Sequence, residues 1–203
     1  MSSFTKIDGR KIRIAVVGCG RISKVHFKSI FKHSSDLELV AICDDDQQAL
    51  SESQKKFGVP AYLEISKMME NEEIDLVVLC TPSGVHASQA ILSSRYGLHV
   101  MTEKPMATSW EDGIRMVNAC DEAGVRLFVV KQNRWNKTLR LLKQAVTDRR
   151  FGNFHMVHLN VFWTRPQSYY DQGNGWRGTW KYDGRHYFRG TLWNLCSPDF
   201  RQI

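Results

Sequence analysis

Apolar residues along this chain fall into short continuous runs separated by stretches with helical spacing. Ile12–Val17, interrupted only by Arg13, reads as a buried strand, and Leu37–Cys43 and residues 74–80, 98–102 and 126–130 repeat the pattern, with a short strand at Tyr62. Between them the periodicity switches. Ile22, Val25, Ile30 and Phe31 place a helix over residues 21–33; Gln47–Phe57 is a second, ended by Gly58-Val59-Pro60; residues 65–70, a segment opening near Val85, and residues 110–123, closed by Gly124, complete the set. This alternation predicts an α/β fold with a doubly wound parallel sheet over residues 1–131. Residues 135–147 predict a further helix with Leu139, Leu142 and Val146 inward. After Gly152 the texture changes. Residues 154–163 alternate, with His155, His158 and Asn160 among apolar neighbours, which predicts a strand of a second domain over residues 132–203.

The first strand runs into Gly18-Cys19-Gly20, and a helix starts near Arg21. Strand, glycine turn and helix N-terminus bring unpaired backbone N–H groups and the positive end of a helix dipole to one point, where a diphosphate binds. Gly18 suits the turn and Gly20 lets backbone approach the phosphate; the third small residue of this Rossmann-type fingerprint is Ser23 rather than Gly. Asp44 ends the second strand, where a carboxylate accepts hydrogen bonds from the adenine ribose and repels a 2′-phosphate. Asp45 and Asp46 follow, so the expected cofactor is NAD rather than NADP. The same three aspartates also suit capping of the next helix, Asp46 above all.

Two further strand exits carry polar residues. Thr81-Pro82-Ser83-Gly84 turns the chain over the carboxyl edge of the sheet, where α/β folds bind ligands. Glu103-Lys104-Pro105 leaves the next strand with its direction fixed by proline, and Lys104 is expected to face the cofactor. The competing reading is a surface lysine paired with Glu103.

Composition narrows the class. With 203 residues, 42% of them hydrophobic, the chain buries a real core and has room for one full domain plus part of another. A formal charge of +7 fits a nucleic-acid partner or anionic small molecules. Dispersed Lys and Arg without a basic run favour the second, and no nucleic-acid partner is expected. The N-terminus has no apolar core of a signal peptide, and no run approaches the roughly 18 residues of a membrane span, so a cytoplasmic protein is expected. The five cysteines lack C-x-x-C spacing, which predicts neither a metal site nor disulfides; Cys43 and Cys80 read as small core residues.

Taken together, Gly18-Cys19-Gly20-Arg21-Ile22 with His26, Asp44, Cys80-Thr81-Pro82-Ser83-Gly84-Val85-His86 and Glu103-Lys104-Pro105 resemble the glucose–fructose oxidoreductase and inositol dehydrogenase family of NAD(P)-dependent sugar dehydrogenases. Within it, Trp163-Thr164-Arg165-Pro166-Gln167-Ser168-Tyr169-Tyr170 and Trp176-Arg177-Gly178-Thr179-Trp180 look like the bacterial UDP-N-acetylglucosamine-type 3-dehydrogenases. The resemblance implies that residues 132–203 begin an α+β open-faced sheet domain for substrate binding and oligomerisation. It breaks near Gly184, where the subfamily's next motif is not recognisable, and a truncation or frame disruption there is expected.

What the resemblance implies chemically is hydride transfer from a sugar-nucleotide hydroxyl carbon, C3 of UDP-N-acetylglucosaminuronate, to the nicotinamide. Lys104 acts as base, proton relay or support for a developing alkoxide. Gly18, Gly20, Arg21, Ile22, Asp44, Thr81, Pro82, His86, Glu103 and Lys104 make up the cofactor side. Arg165, Tyr169, Tyr170, Trp176 and Arg177 join Lys104 on the substrate side, guanidinium groups for carboxylate or diphosphate and rings for uridine or sugar, with core or subunit contacts as their alternative. His26 divides evenly between helix packing and a cofactor-side role. The expected partner is a small-molecule sugar nucleotide, and the expected assembly a homo-oligomer once the second domain folds. The alternative function is a non-catalytic NAD-binding remnant.

Overall fold

A computed structural model of the protein describes residues 7–162, 164–173 and 175–184. Trp163 and the sequence after Gly184, with His186 and Cys196, lie outside the described residues. Six strands, β1 (Ile12–Val17), β2 (Leu37–Cys43), β3 (Ala61–Tyr62), β4 (Leu76–Leu79), β5 (His99–Thr102) and β6 (Leu127–Val129), form one sheet in the order β3-β2-β1-β4-β5-β6. Every neighbouring pair is parallel. The helices between them are α1 (Ser23–Lys32), α2 (Gln47–Phe57), α3 (Ile65–Asn71), α4 (His86–Arg95) and α5 (Trp110–Glu122). Chain order reverses direction between β1 and β4, which opens a crevice at the carboxyl edge.

Period-2 alternation divides the core between the two faces of the sheet. Ala15, Val17, Ala41, Cys43, Val77 and Leu79 point to one face and meet Met68, Ala87, Ala90, Met116 and Cys120 from α3, α4 and α5. Ile14, Val16, Leu39, Ile42 and Val78 point to the other and meet Phe27 and Ile30 of α1 and Leu50 of α2. Most of these side chains are essentially inaccessible, each worth about 1.5–3 kcal/mol on burial.

Arg13, the polar break in the first apolar run, has its reason at the opposite edge of the sheet. It and Arg10 converge on Asp75: Arg10 Nη2 donates to Oδ1 over 2.8 Å, the Arg13 backbone N–H to Oδ2 over 2.8 Å, and Arg13 also pairs with Glu73. The hydrogen bond from Arg10, with those from Arg13, holds the Asp75 carboxyl well below the usual carboxylate range against the opposing effect of burial.

Beyond β6 come a short 3-10 turn at Gln132–Trp135, then α6 (Lys137–Thr147), α7 (Gln167–Asp171) and α8 (Trp180–Asp183). The expected inward face of α6 is corrected in part: Leu139 and Leu142 are 43% and 49% exposed and Val146 is half-buried, for α6 packs chiefly against the adjacent turn at Gln132–Trp135. Nor is the strand expected over residues 154–163 formed among the described residues; 155–162 are exposed and unladdered, since a strand needs a neighbour to pair with. Cofactor-edge contact returns at α8, which packs on the Ser83–Val85 turn so closely that a Cβ on Gly84 would lie 2.8 Å from the Tyr182 Cα.

Candidate functional site

Sheet register sets the site. Val17 pairs with Cys43 and with Leu79, and Leu79 with Thr102, so these four strands end level. The next residues, Gly18, Asp44, Cys80 and Glu103, therefore leave the sheet side by side.

Gly18 has φ +92°, and a Cβ there would come within 2.7 Å of the Cys80 carbonyl carbon, so only glycine fits. Its N–H donates to the Cys43 carbonyl over 2.8 Å, which ties the loop to β2. Gly20 differs: a Cβ there would project into open space with no atom within 4 Å. A side chain at that position would fill the cradle itself. Ser23, completely buried, donates from Oγ to the Gly20 carbonyl over 2.7 Å and so fixes the far side of the loop. Helix α1 then begins behind Ile22, which makes no side-chain cap, and has no acidic residue in its first turn. Its leading N–H groups have no side-chain acceptor of the capping kind, which is the donor set that an anionic diphosphate satisfies. The residues present fit a dinucleotide.

Asp44 faces this loop. Its Oδ2 accepts from the Cys19 N–H at 2.5 Å and its Oδ1 from the Asp46 N–H at 2.8 Å. Burial pushes its carboxyl up, and the two N–H bonds oppose that shift without cancelling it. Capping belongs to Asp46, which accepts from Gln48 and Ala49 N–H groups at the start of α2. The capping reading of the aspartate run thus falls to Asp46. Burial raises the Cys19 and Cys43 thiols to about 11 and about 12, so both stay protonated and inert beside the loop at neutral pH.

Glu103 is buried at the exit of β5, with Lys104 exposed beyond it. Glu103 Oε1 lies 2.9 Å from His26 Nε2 of α1, and Oε2 accepts from the Lys104 backbone N–H at 3.2 Å. Burial pushes the Glu103 carboxyl up, but His26 and Lys104 outweigh it and the net shift is downward, which keeps Glu103 ionised. Its side-chain partner is therefore His26, not the Lys104 ammonium. The His26 contact is one that the sequence did not specify; its only sign was a polar residue beside the buried stripe Ser23, Phe27 and Ile30.

His86, expected on the cofactor side, is 1% exposed. Its Nδ1 lies 2.9 Å from the Pro105 carbonyl and its Nε2 2.9 Å from the Thr81 carbonyl. Burial lowers its pKa against the raising effect of both carbonyls. Thr81 and Pro82 are half-buried on the loop, with Thr81 Oγ1 bonded to Gln89 of α4.

The residues expected on the substrate side gather round one ring. Arg165 and Arg177 stack on Tyr169 with guanidinium carbons 4.7 and 4.9 Å from its centroid, and Tyr170 meets it edge-on at 5.2 Å. Arg177 also covers Trp176 at 4.8 Å. Arg21, directly after the glycine loop, reaches the same Tyr169 ring at 5.6 Å and joins this cluster to the cradle.

No helix among the described residues is long and apolar enough to cross a membrane. Residues 12–131 match the model of an oxidoreductase family with an NAD-binding Rossmann fold. Among solved structures, the chain is similar to the WlbA dehydrogenase of Chromobacterium violaceum, crystallised with NADH and UDP-GlcNAcA, at 52% identity and a TM-score of 0.87, covering 90% of this chain and 52% of that one. It is likewise similar to WlbA of Bordetella pertussis, in complex with the same two molecules, at 55% identity and a TM-score of 0.84, covering 86% of this chain and 53% of that one. A curated relative, myo-inositol 2-dehydrogenase of Thermotoga maritima, is 31% identical over 149 residues, 73% of this chain and 44% of the relative. The chain thus spans about half the length of these relatives. Glycine loop, strand-end aspartate, parallel sheet and family match agree: the chain belongs to the GFO/IDH/MocA oxidoreductase family of NAD-binding Rossmann proteins.

Proposed function

We propose that this chain binds NAD across its carboxyl-edge crevice and serves the oxidation of a sugar nucleotide, UDP-N-acetylglucosaminuronate, at C3. The observation that carries the reading is the convergence of the Gly18–Gly20 loop, Asp44 and the Glu103-Lys104 exit on one level strand edge. Gly18, Gly20, Arg21 and Ile22 hold the diphosphate through backbone N–H groups and the α1 N-terminus. Asp44 accepts from the adenine ribose hydroxyls with the lone pairs that Cys19 and Asp46 leave unused. Thr81 and Pro82 line the nicotinamide side, and Glu103 anchors the segment from which Lys104 extends. Nicotinamide, when bound, supplies the hydride acceptor. Lys104 Nζ takes or relays the proton of the reacting hydroxyl and steadies the negative charge that develops on its oxygen. Arg165 and Arg177 pair with the uronate carboxylate or the diphosphate, and Tyr169, Tyr170 and Trp176 stack on the uridine or sugar. The identities of 52% and 55% with two enzymes crystallised with NADH and UDP-GlcNAcA support this substrate.

A second reading is a protein that binds NAD without turnover, since the Gly18–Gly20 loop and Asp44 make up the cofactor cradle without any residue of the substrate side. Fluorescence titration with NADH and NADH formation at 340 nm on addition of UDP-N-acetylglucosaminuronate separate the two. Binding with turnover supports the dehydrogenase, binding alone supports the second reading, and no binding overturns both.

A further inference from the structure

Two histidines lie against the residues that flank Lys104. His26 belongs to α1, on the sheet face of Phe27 and Ile30; His86 opens α4, on the opposite face with Ala87 and Ala90. From one face His26 Nε2 meets Glu103 Oε1 at 2.9 Å, and from the other His86 Nδ1 meets the Pro105 carbonyl at 2.9 Å. These are the residues on either side of Lys104. We propose that His26 and His86 are positioning residues, a two-sided brace that fixes the backbone from which Lys104 extends.

Each bond has a continuation that reinforces this reading. Glu103 uses its second oxygen on the Lys104 N–H, so the bond to His26 orients a carboxylate that itself holds Lys104. The other nitrogen of His86 lies 2.9 Å from the Thr81 carbonyl; because burial keeps the ring neutral, its single N–H serves one of the two carbonyls at a time, and the ring sits wedged between the β5 and β4 exits. Backbone pairing of Glu103 N–H with the Leu79 carbonyl at 3.0 Å closes the frame. Lys104 itself is exposed, with no side-chain hydrogen bond or ion pair among the described residues. Its direction is therefore set through its backbone. Burying a histidine at 1% exposure and a carboxylate at 7% is costly unless their polar atoms are bonded, and the contacts of Glu103 and of His86 Nδ1 fall on the tripeptide centred on Lys104. Proton transfer benefits from such a frame, because misplacement of a reacting group by about an ångström costs much of its rate.

The inference rests on the proposed role of Lys104 for its purpose, but its test does not require turnover. Amide hydrogen exchange read by mass spectrometry on the full chain compares a peptide covering residues 101–108 with peptides from β1 and β2. His26→Ala and His86→Ala are each expected to speed exchange in 101–108 about tenfold, with β1 and β2 unchanged. His26→Gln, which keeps a donor for Glu103, should return the rate toward that of the parent. Unchanged exchange in 101–108, acceleration in only one alanine variant, uniform acceleration across all peptides, or equal acceleration in His26→Gln would overturn the brace. Separately, Lys104→Met with undiminished NADH formation would overturn the role of Lys104 and leave the exchange result standing.

Discussion

Residues 12–131 and residues 132–184 both carry amphipathic sequence patterns, and the two regions differ in physical standing. In the first region every predicted strand finds parallel neighbours, and apolar side chains close to complete burial on both faces. In the second, Leu139, Leu141 and Leu142 of α6 and residues 155–162 are exposed, Phe162 at 97%. An amphipathic pattern states that a segment requires a partner. It does not supply one.

The largest expected effect tests that contrast directly. Leu79→Ala, deep in the sheet, should lower stability by about 3 kcal/mol, while Leu142→Ala on α6 should change it by less than about 0.5 kcal/mol, both read from urea unfolding followed by circular dichroism. Equal losses would erase the difference between the regions. Next, Asp75→Asn removes the negative charge and one of the two acceptor oxygens shared by Arg10 and Arg13 and should cost roughly 2 kcal/mol at neutral pH. Since the folded carboxyl titrates lower than the unfolded one, its contribution is full above about pH 3.9 and is lost as pH falls from there toward the folded value. Unfolding midpoints of parent and variant should therefore converge in acid.

A smaller effect concerns the cradle. Asp44→Ala should weaken NADH binding about tenfold by fluorescence titration, because both the loop N–H of Cys19 and the ribose lose their acceptor. The smallest sharpens the link between regions: Tyr169→Ala removes the ring shared by Arg21, Arg165 and Arg177 and should shift stability by no more than about 1 kcal/mol. A thermal shift as large as that of Leu79→Ala would make residues 164–184 part of the same cooperative unit.

What could be seen in the sequence was what local chemistry decides. Leu37–Cys43 and Gln47–Phe57 match to the residue because Asp46 caps the helix start and Gly58, at φ +68°, ends it. The fourth strand is shorter than its apolar run, beginning at Leu76, since Asp75 turns its carboxylate and its N–H to Arg13. Gly18 and Asp44 were legible as a pair because both stand at strand exits. The His26–Glu103 contact joins residues 77 apart and the His86–Pro105 contact residues 19 apart, both through elements whose mutual placement only the folded sheet defines. Leu139 and Leu142 misled for the complementary reason: helical spacing is intrinsic to α6, whereas burial depends on a neighbour.

The level ending of β1, β2, β4 and β5 also sets where the molecule tolerates insertion. One residue added inside any of these strands would rotate its exit to the wrong side of the pleat and carry Gly18, Asp44 or Glu103 out of alignment. The connection at residues 33–36 enters β2 from the far edge and leaves that alignment untouched, which makes it a suitable place to graft a tag or reporter.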